Sequence, residues 1–156
     1  MTYWLFAPGE NAEDWYFSLS TNKMYIGYDG AGIKNLNNYK SRESIEKDIN
    51  KGFSFDEYLT HPFHVLCCWQ FANEINIGDI IFARGGVKKI IGYGIVKSNY
   101  QYDANGKEGF KHNRDVEWHP LEYEINTSFG LPRKTLTLIK DNYKINELCK
   151  ICNIAE

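Results

Sequence analysis

The sequence has no stretch that approaches the ~18 consecutive apolar residues of a membrane-spanning helix. Its N-terminus also lacks the basic start and apolar block of a secretory signal peptide. With 4 cysteines in 156 residues, it lacks the cysteine density of a secreted, disulfide-stabilised scaffold. These absences predict a cytoplasmic protein with no membrane partner.

The motifs of common catalytic and nucleotide-binding sites are also absent. There is no G-x-S-x-G nucleophile motif, and the 4 histidines lie near no obvious serine and aspartate partners. The stretch ARGGVKK, at residues 83–89, looks like a phosphate loop but does not fit G-x-x-x-x-G-K-[ST]. The glycines of GYGIV lie inside a predicted strand with no helix after it, so they form no dinucleotide-binding fingerprint. The sequence predicts a binding module without a cofactor, and an unrecognised hydrolase is the alternative.

The cysteines fall in two segments, and each segment has two interpretations. Cys149 and Cys152 continue an apolar stripe in the last predicted helix, and buried cysteine is common in protein cores. In the alternative, a zinc ion would join them to His61, His64 and Cys68, which share one helix face. Structural zinc sites usually consist of two close ligand pairs, so we predict core cysteines and no metal site.

What the sequence has in excess is aromatic residues, which make up 15% of the chain and include 11 tyrosines. Hydrophobic residues make up 43% and charged residues 24%, as in a folded globular protein. The length fits one domain, residues 1–156, with a substantial core. The aromatic excess therefore predicts either a ring-rich core or a binding surface.

Charge is distributed unevenly along the chain. From Arg84 to Arg114 there are 7 cations and 2 anions, a local charge of +5, whereas the rest of the chain carries 11 cations and 18 anions, or −7. The cations of this segment are Arg84, Lys88, Lys89, Lys97, Lys107, Lys111 and Arg114. A basic segment on an acidic body is typical of a phosphate-facing patch. A solvated hairpin face, whose lysines discourage edge-to-edge aggregation, fits the charge pattern equally well.

Hydrophobic periodicity predicts strands interleaved with helices. The predicted strands are Thr2–Pro8, Lys23–Gly30, Ile80–Ala83, Ile90–Val96 and Gly109–Ile125, the last interrupted at Pro120. The predicted helices are Glu10–Ser20, Ser41–Ile49 and Thr60–Ile75, followed by a short helical turn and a terminal helix within Leu131–Cys152. Gly85 and Gly86 form the turn of the hairpin. This pattern predicts an α+β protein with a small, highly curved sheet or partial barrel.

The same patterns predict which faces are buried. Ser41 caps an exposed helix, and Thr60 caps a helix whose apolar side carries Val65, Trp69 and Ala72. One face of the last long strand carries Phe110, His112, Arg114, Val116 and Trp118.

Several stretches, in order, carry a resemblance to a known family: WLFAPGENAEDW, IGYDG, WQFANEINIGDIIFARGGVKKIIGYGIVKSNYQYD, KHNRDVEW and KTLTLI. They resemble an EVE domain of the PUA-like superfamily, and most closely the version at the N-terminus of McrB-like AAA+ restriction GTPases. The resemblance covers nearly the whole chain. It implies a twisted mixed sheet of five or six strands that forms a partial β-barrel flanked by helices, related to YTH domains.

The resemblance also implies a function. Such domains flip one modified base of a nucleic acid into an aromatic cage, and in McrB-like proteins they select methylated or otherwise modified DNA. The implied partners are modified DNA, an AAA+ GTPase motor in cis or in trans, and a nuclease subunit. This chain has no Walker motif, so the motor would lie beyond Glu156 or on another protein. Alternatives are an RNA-binding PUA-like module in RNA modification or translation, and an interaction domain for a protein or nucleotide.

Positions in the family pattern imply the walls of the cage. Tyr28, at the end of the second predicted strand, is the first wall, where the family often carries tryptophan. Tyr100 or Tyr102, in the polar loop after the hairpin, would close the cage from the other side. The two share a face by strand alternation.

The remaining candidates are polar residues and one tryptophan. Asn11 and Asp29 are candidates for reading the base edge, and Trp15 would form the floor. Alternatively, Asn11 caps a helix that begins near Ala12, and Trp15 is a core residue on an apolar helix face. The candidate phosphate-binding residues are Arg84, Lys88, Lys89, Lys111 and Arg114.

Overall fold

A computed structural model describes residues 1–52 and 61–155 of the chain. The strands are β1 (Tyr3–Phe6), β2 (Lys23–Ile26), β3 (Ile80–Arg84), β4 (Lys89–Val96), β5 (Gln101–Tyr102), β6 (His112–Asn126) and β7 (Leu136–Ile139). The helices are α1 (Trp15–Thr21), α2 (Arg42–Gly52), α3 (His61–Asn73) and α4 (Asn142–Ile151). None of these helices has the length and apolar character needed to cross a membrane. The sheet curls into an open half-barrel, which confirms the α+β class and the partial barrel.

The sheet is mixed, with strand order β2-β6-β4-β3-β1-β7 and with β5 paired to the start of β6. Strands β1 and β3 are parallel, with Tyr3 opposite Ile80, and the other recorded pairs are antiparallel. The predicted β3–β4 hairpin is confirmed, and Gly86 in its turn has φ 88°. A register shift between Ile90 and Gly92 lies opposite Pro120 of β6. Such irregularities increase the local twist and help a sheet to curl.

Alternation along the central strands creates a hydrophobic cluster on each face of the sheet. Trp4, Phe6 and Ile81 belong to the main core, which α2 and α3 cover. Leu5 and Phe82, their chain neighbours, belong to a second cluster covered by α4. Fully burying a side chain of this size contributes about 1.5–3 kcal/mol relative to leaving it exposed. The sheet is therefore held from both sides.

Helix α2 differs in one respect from its prediction. Its predicted cap is confirmed, because the amide of Ser44 donates to Oγ of Ser41 at 3.3 Å. The helix is not exposed, however, since Ile45 and Ile49 are buried in the main core. The predicted cap of the next helix, Thr60, lies outside the described residues.

The predicted helical turn after Leu131 is wrong. Residues Leu136–Ile139 form β7, which pairs antiparallel with β1. The amide of Ala7 also donates to the carbonyl oxygen of Thr135 at 2.9 Å, so the pairing extends beyond the strand. Alternating threonine and leucine in this stretch is a strand pattern, and pairing with a buried strand selected it. The predicted helix Glu10–Ser20 is shorter than expected, because α1 begins only at Trp15.

All 4 cysteines are buried, as predicted for core residues, and no disulfide joins them. Cys67 and Cys68 lie in the main core, whereas Cys149 and Cys152 lie in the cluster on the other face of the sheet. Burial raises the pKa of Cys67 and of Cys152 to about 12, so both stay protonated at neutral pH. The two segments that a shared zinc ion would have to join are separated by the sheet.

Candidate functional site

A pocket of about 480 Å³ opens near the ends of β1, β2 and β3, and we call it the strand-end pocket. The Pro8–Asn11 segment, which follows β1, forms one part of its lining. Ile26 and Gly27, at the end of β2, form another, and Gly86 at the hairpin tip a third. Cavities that bind small organic ligands have volumes of about 300–1,000 Å³, so this pocket has the size of a ligand site.

The chain entering this pocket from β1 has an unusual backbone. Gly9, Asn11 and Ala12 all have positive φ, at 75°, 52° and 60°. A side chain at Gly9 would collide with the carboxylate of Asp14. For a residue with a side chain, the left-handed region costs roughly 1–2 kcal/mol. Such strain concentrates at functional sites.

Asn11 therefore does not have the role of a helix cap. It lies in a 3₁₀ turn, Glu10–Ala12, whereas α1 begins at Trp15. Asn11 lies in the pocket lining, and its role in reading a base edge stays a prediction.

Two arginines line the pocket, one predicted as a phosphate ligand and one not. Nη1 of Arg84 donates to the carbonyl oxygen of Gly86 at 2.9 Å, and Nη2 donates to that of Lys134 at 3.2 Å. The side chain of Arg84 is therefore fixed against the hairpin tip. Arg133, on the loop before β7, lines the same pocket. Partial burial, together with the positive charge of Arg133, lowers the pKa of Arg84.

Acidic and neutral polar groups complete the lining. Glu10 and Asp14 contribute carboxylates from the segment after β1, and Asn11 and Thr135 contribute an amide and a hydroxyl. An ionised carboxylate only accepts hydrogen bonds, whereas a guanidinium only donates them. The pocket thus offers hydrogen-bond acceptors from the segment after β1. It offers hydrogen-bond donors from Arg84, at the end of β3, and from Arg133, before β7.

Aromatic rings form a further side of the pocket. Tyr25 and Phe110 line it, with ring centroids 5.3 Å apart at 85°. Phe17 packs on both, at 5.3 Å from Tyr25 and 4.8 Å from Phe110. We call these three residues the Phe110 wall. Nζ of Lys107 lies 5.0 Å from the ring centroid of Phe110, within the range of a cation–π contact.

Tyr28, the first predicted cage wall, is not in the pocket lining. Its backbone is in the left-handed region, with φ 77°, which is a real outlier for a bulky residue. Its ring packs against the main core, and its hydroxyl lies 2.9 Å from Nδ1 of His64. Burial raises the pKa of the Tyr28 hydroxyl well above its usual value. Tyr28 therefore lies outside the pocket lining, with its hydroxyl in contact with α3.

The other two predicted walls fold onto one imidazole instead. Tyr100 is only 6% exposed, and its hydroxyl accepts from the amide of Leu36 at 3.0 Å and lies 2.7 Å from Nδ1 of His112. The ring of Tyr102 lies 5.2 Å from the same imidazole, so the two tyrosines share a face as predicted. We call Tyr100, Tyr102 and His112 the His112 cluster. Tyr100 is therefore buried and hydrogen-bonded within the fold, whereas Tyr102 is half-buried and packs on the imidazole.

Trp15 and Asp29 also lie outside the pocket lining. Trp15 packs edge-on against Trp118, with ring centroids 5.0 Å apart, and its ring occupies the space where Gly92 would have a side chain. Trp15 therefore packs against the main core, which is the alternative interpretation of this residue. Asp29 accepts a hydrogen bond from the amide of Gly109 at 2.7 Å. Asp29 therefore positions the loop that carries the pocket residues Gly109 and Phe110, without lining the pocket itself.

Arg114 corrects the predicted phosphate surface. It is 2% exposed, and its Nε donates to the carbonyl oxygen of Phe71 at 2.8 Å. Its two Nη atoms donate to the carbonyl oxygens of Ser98 and Ala72, at 3.0 and 3.2 Å. Phe71 and Ala72 are near the C-terminal end of α3, where carbonyl groups lack partners within the helix. Arg114 is thus a buried helix cap and offers nothing to a phosphate.

The remaining basic candidates differ in their availability. Lys88 is exposed and Lys111 half-exposed. Lys89 forms an ion pair with Glu124 at 3.0 Å, and Lys97 forms one with Glu117 at 3.2 Å. Exposed pairs of this kind contribute little to stability, but they lower the local positive potential. The basic surface is therefore smaller than the charge count predicts.

A second cavity, of about 360 Å³, adjoins the first at the hairpin tip. Lys88 and Lys89 line it, and it shares Asn11, Gly86 and Val87 with the strand-end pocket. A ligand that extends out of the strand-end pocket at this point meets lysines.

Comparison with known families adds one finding. Residues 4–139 match the model of a family described as Domain of unknown function (DUF8426). The chain belongs to this family. The whole lining of the strand-end pocket lies within the DUF8426 range, whereas α4 lies beyond it. No curated protein matches the chain.

Proposed function

We propose that the strand-end pocket binds one base of a nucleic acid, extruded from its strand, and that the chain recognises a modified base in DNA in this way. The observation that carries this proposal is one pocket lined by both aromatic rings, Tyr25 and Phe110, and guanidinium groups, Arg84 and Arg133. Bases bind to aromatic rings, and phosphates bind to arginine. The pocket volume of about 480 Å³ accommodates a single base.

The energetics of base extrusion show what the pocket must supply. Removing a base from a duplex costs a few kcal/mol. Contact with one aromatic ring returns ~1–3 kcal/mol, and burying an added methyl group returns up to ~0.8 kcal/mol. The methyl group alone gives modest selectivity, so polar contacts to the base edge have to contribute.

The carboxylate of Asp14 and the amide of Asn11 are the groups that would supply these edge contacts. A carboxylate accepts hydrogen bonds from exocyclic amino groups, which cytosine and adenine have and thymine lacks. An unpaired buried acceptor costs about 1–3 kcal/mol, so a base without an amino group is disfavoured by that amount. Guanine has such an amino group too, so the proposal favours a modified cytosine, adenine or guanine over a modified thymine.

The resemblance to EVE domains supports the same proposal from the sequence. It implies a division of labour in which this chain recognises the modified base, and an AAA+ GTPase motor and a nuclease, in cis or in trans, act on the DNA. No described residue contributes to that part of the proposal, which rests on the resemblance alone.

The experiment is a binding panel measured by fluorescence anisotropy. Duplexes that carry one 5-methylcytosine, 5-hydroxymethylcytosine or N6-methyladenine are compared with the unmodified duplex and with RNA of matched sequence. We expect one modified duplex to bind about tenfold more tightly than the unmodified one, a difference of about 1.4 kcal/mol. Equal affinity for all duplexes would contradict the proposal, and tighter binding of the RNA would favour the RNA-binding alternative.

A further inference from the structure

We propose that the strand-end pocket contains an anion subsite formed by Arg84 and Arg133, which binds the phosphate of the nucleotide whose base occupies the pocket. This inference rests on the proposed function in that both place a nucleotide in the same pocket. It adds the class of the ligand, which must carry a negative charge inside the pocket itself.

The first argument is the fixed position of Arg84. Two of its N–H groups are committed to the carbonyl oxygens of Gly86 and Lys134, which lie on the two chain segments bordering the pocket. These bonds remove most of the rotamer freedom that an arginine normally loses when it binds an anion. A guanidinium has five N–H donors, so three remain in this geometry. Nε, one of these three, is buried and has no hydrogen-bond partner in residues 1–52 and 61–155.

The second argument is the closeness of two positive charges. Arg133 is near enough to Arg84 for its charge to lower the pKa of Arg84. Like charges held together destabilise the folded state unless a counter-charge joins them. In the described part of the chain, no carboxylate forms an ion pair with either guanidinium, whereas Lys89 pairs with Glu124. Two guanidinium groups therefore line the strand-end pocket without an ion-paired carboxylate among the described residues.

The third argument concerns the hairpin tip, where ARGGVKK does not match a nucleotide-binding loop. In the fold this stretch contributes to two adjoining cavities. Arg84 faces the strand-end pocket, whereas Lys88 and Lys89 line the cavity on the other side of Gly86 and Val87. The cations of this stretch are therefore divided between the pocket and the surface beside it. Arg84 is the cation of this stretch that lines the strand-end pocket.

Glu10 and Asp14 limit what this ligand is. A wholly anionic ligand would be repelled by their carboxylates, and a neutral one would leave the repulsion between Arg84 and Arg133 in place. A nucleotide with an amino-bearing base matches both the carboxylates and the arginines, because its base donates hydrogen bonds and its phosphate accepts them. The inferred ligand class is therefore a nucleotide with an amino-bearing base, with its phosphate bound at the two arginines.

The experiment compares three small probes by calorimetry: inorganic phosphate, 5-methyldeoxycytidine and 5-methyldeoxycytidine 5′-monophosphate. We expect the monophosphate to bind at least tenfold more tightly than the nucleoside, and inorganic phosphate to compete with it. Arg133→Gln should remove most of that advantage. Lys134→Gln is the matched control, because its side chain lies over the ring of Phe63 at 4.8 Å and outside the pocket lining. Its backbone carbonyl, which binds Arg84, is unchanged.

Two results would overturn the subsite: equal affinity for nucleoside and monophosphate, or equal weakening by Arg133→Gln and Lys134→Gln. A second arm separates a nucleic acid from a free nucleotide as the source of the phosphate. A modified duplex whose phosphate 5′ to the modified base is an uncharged methylphosphonate should bind more weakly than its parent, but only when Arg133 is present. If the chain binds the monophosphate through Arg133 and binds no duplex, the proposed function fails and the subsite stands.

Discussion

The His112 cluster and the Phe110 wall are both groups of aromatic rings, yet they differ in what surrounds their polar atoms. In the His112 cluster, Nε2 of the imidazole lies 3.1 Å from the carbonyl oxygen of Ile33, and Nδ1 lies 2.7 Å from the Tyr100 hydroxyl. The Phe110 wall borders a cavity that also contains charged groups. The comparison teaches that an excess of tyrosine does not locate a binding site. The proposed site rests instead on charged groups arranged around a cavity.

The largest effect should come from removing a ring of the His112 cluster. Tyr100→Ala leaves a cavity and removes the partner of the Leu36 amide, so it should lower the free energy of unfolding by about 3–5 kcal/mol. Urea denaturation measures this loss. Tyr143→Ala, at a position that is 62% exposed, is the control and should change stability by less than about 0.5 kcal/mol. If the Tyr100→Ala protein has normal stability but has lost its preference for the modified base, Tyr100 is a wall of the aromatic cage.

The next effect should appear in binding and should separate the two ring groups directly. Phe110→Ala removes one ring of the pocket lining, so it should weaken binding of the modified duplex by about 1–3 kcal/mol. Tyr102→Ala also removes a half-buried ring, but from the His112 cluster, and should leave that affinity nearly unchanged. Both variants are measured by anisotropy after their melting temperatures are recorded. Equal loss of affinity in the two variants would show that the His112 cluster contributes to binding as much as the Phe110 wall does.

A smaller effect concerns the lysines beside the pocket. Lys88 is exposed, whereas Lys89 is paired with Glu124 at 3.0 Å. Removing one lysine–phosphate interaction flattens the log–log salt dependence of duplex binding by roughly 0.9. We therefore expect Lys88→Ala to reduce the slope by about that amount, Lys89→Ala by less, and both to weaken modified and unmodified duplexes alike. An unchanged slope in the double variant would mean that phosphates bind elsewhere.

The smallest effect is a dependence of stability on pH. Burial lowers the pKa of His112, so the unfolded chain, with a histidine pKa of about 6.5, takes up this proton first as the pH falls. The stability contributed by neutral His112 is therefore complete above about pH 6.5 and is lost as the pH falls from there through the folded pKa. Urea titrations between about pH 7.5 and about pH 5.5, roughly one unit either side of 6.5, measure this slope. The same slope in His112→Gln would assign the dependence to other histidines.

Local patterns predicted much of the fold. Alternation and glycine placement indicated the β3–β4 hairpin, and a serine capping pattern indicated the start of α2. The buried cysteines followed from helical periodicity. These features depend on residues close together in the chain, where sequence spacing and spatial distance agree.

The candidate site was predicted less well, because long-range contacts assemble it. Tyr100 lies in a polar stretch, and its burial depends on His112 and Leu36, which other parts of the chain supply. Arg133 lies in a stretch interpreted as a helical turn, so the second guanidinium was missed. Strand alternation placed Arg114 on an apolar face. The count of positive charges in its segment nevertheless led to the prediction that Arg114 binds phosphate. Contacts between residues far apart in the chain, which local sequence patterns do not reveal, decided these positions.

The packing of tryptophan beside the pocket has an optical consequence. Trp118 stacks on Phe6 at 6.2 Å and meets Trp15 edge-on, while its Nε1 donates to the carbonyl oxygen of Lys23 at 2.9 Å. Phe6 is itself part of the pocket lining. A purine or pyrimidine that enters the pocket is thus separated from the Trp118 indole by a single phenyl ring. We expect the native emission of Trp118, one of 4 tryptophans, to change when the proposed ligand binds, which would give a label-free signal of pocket occupancy.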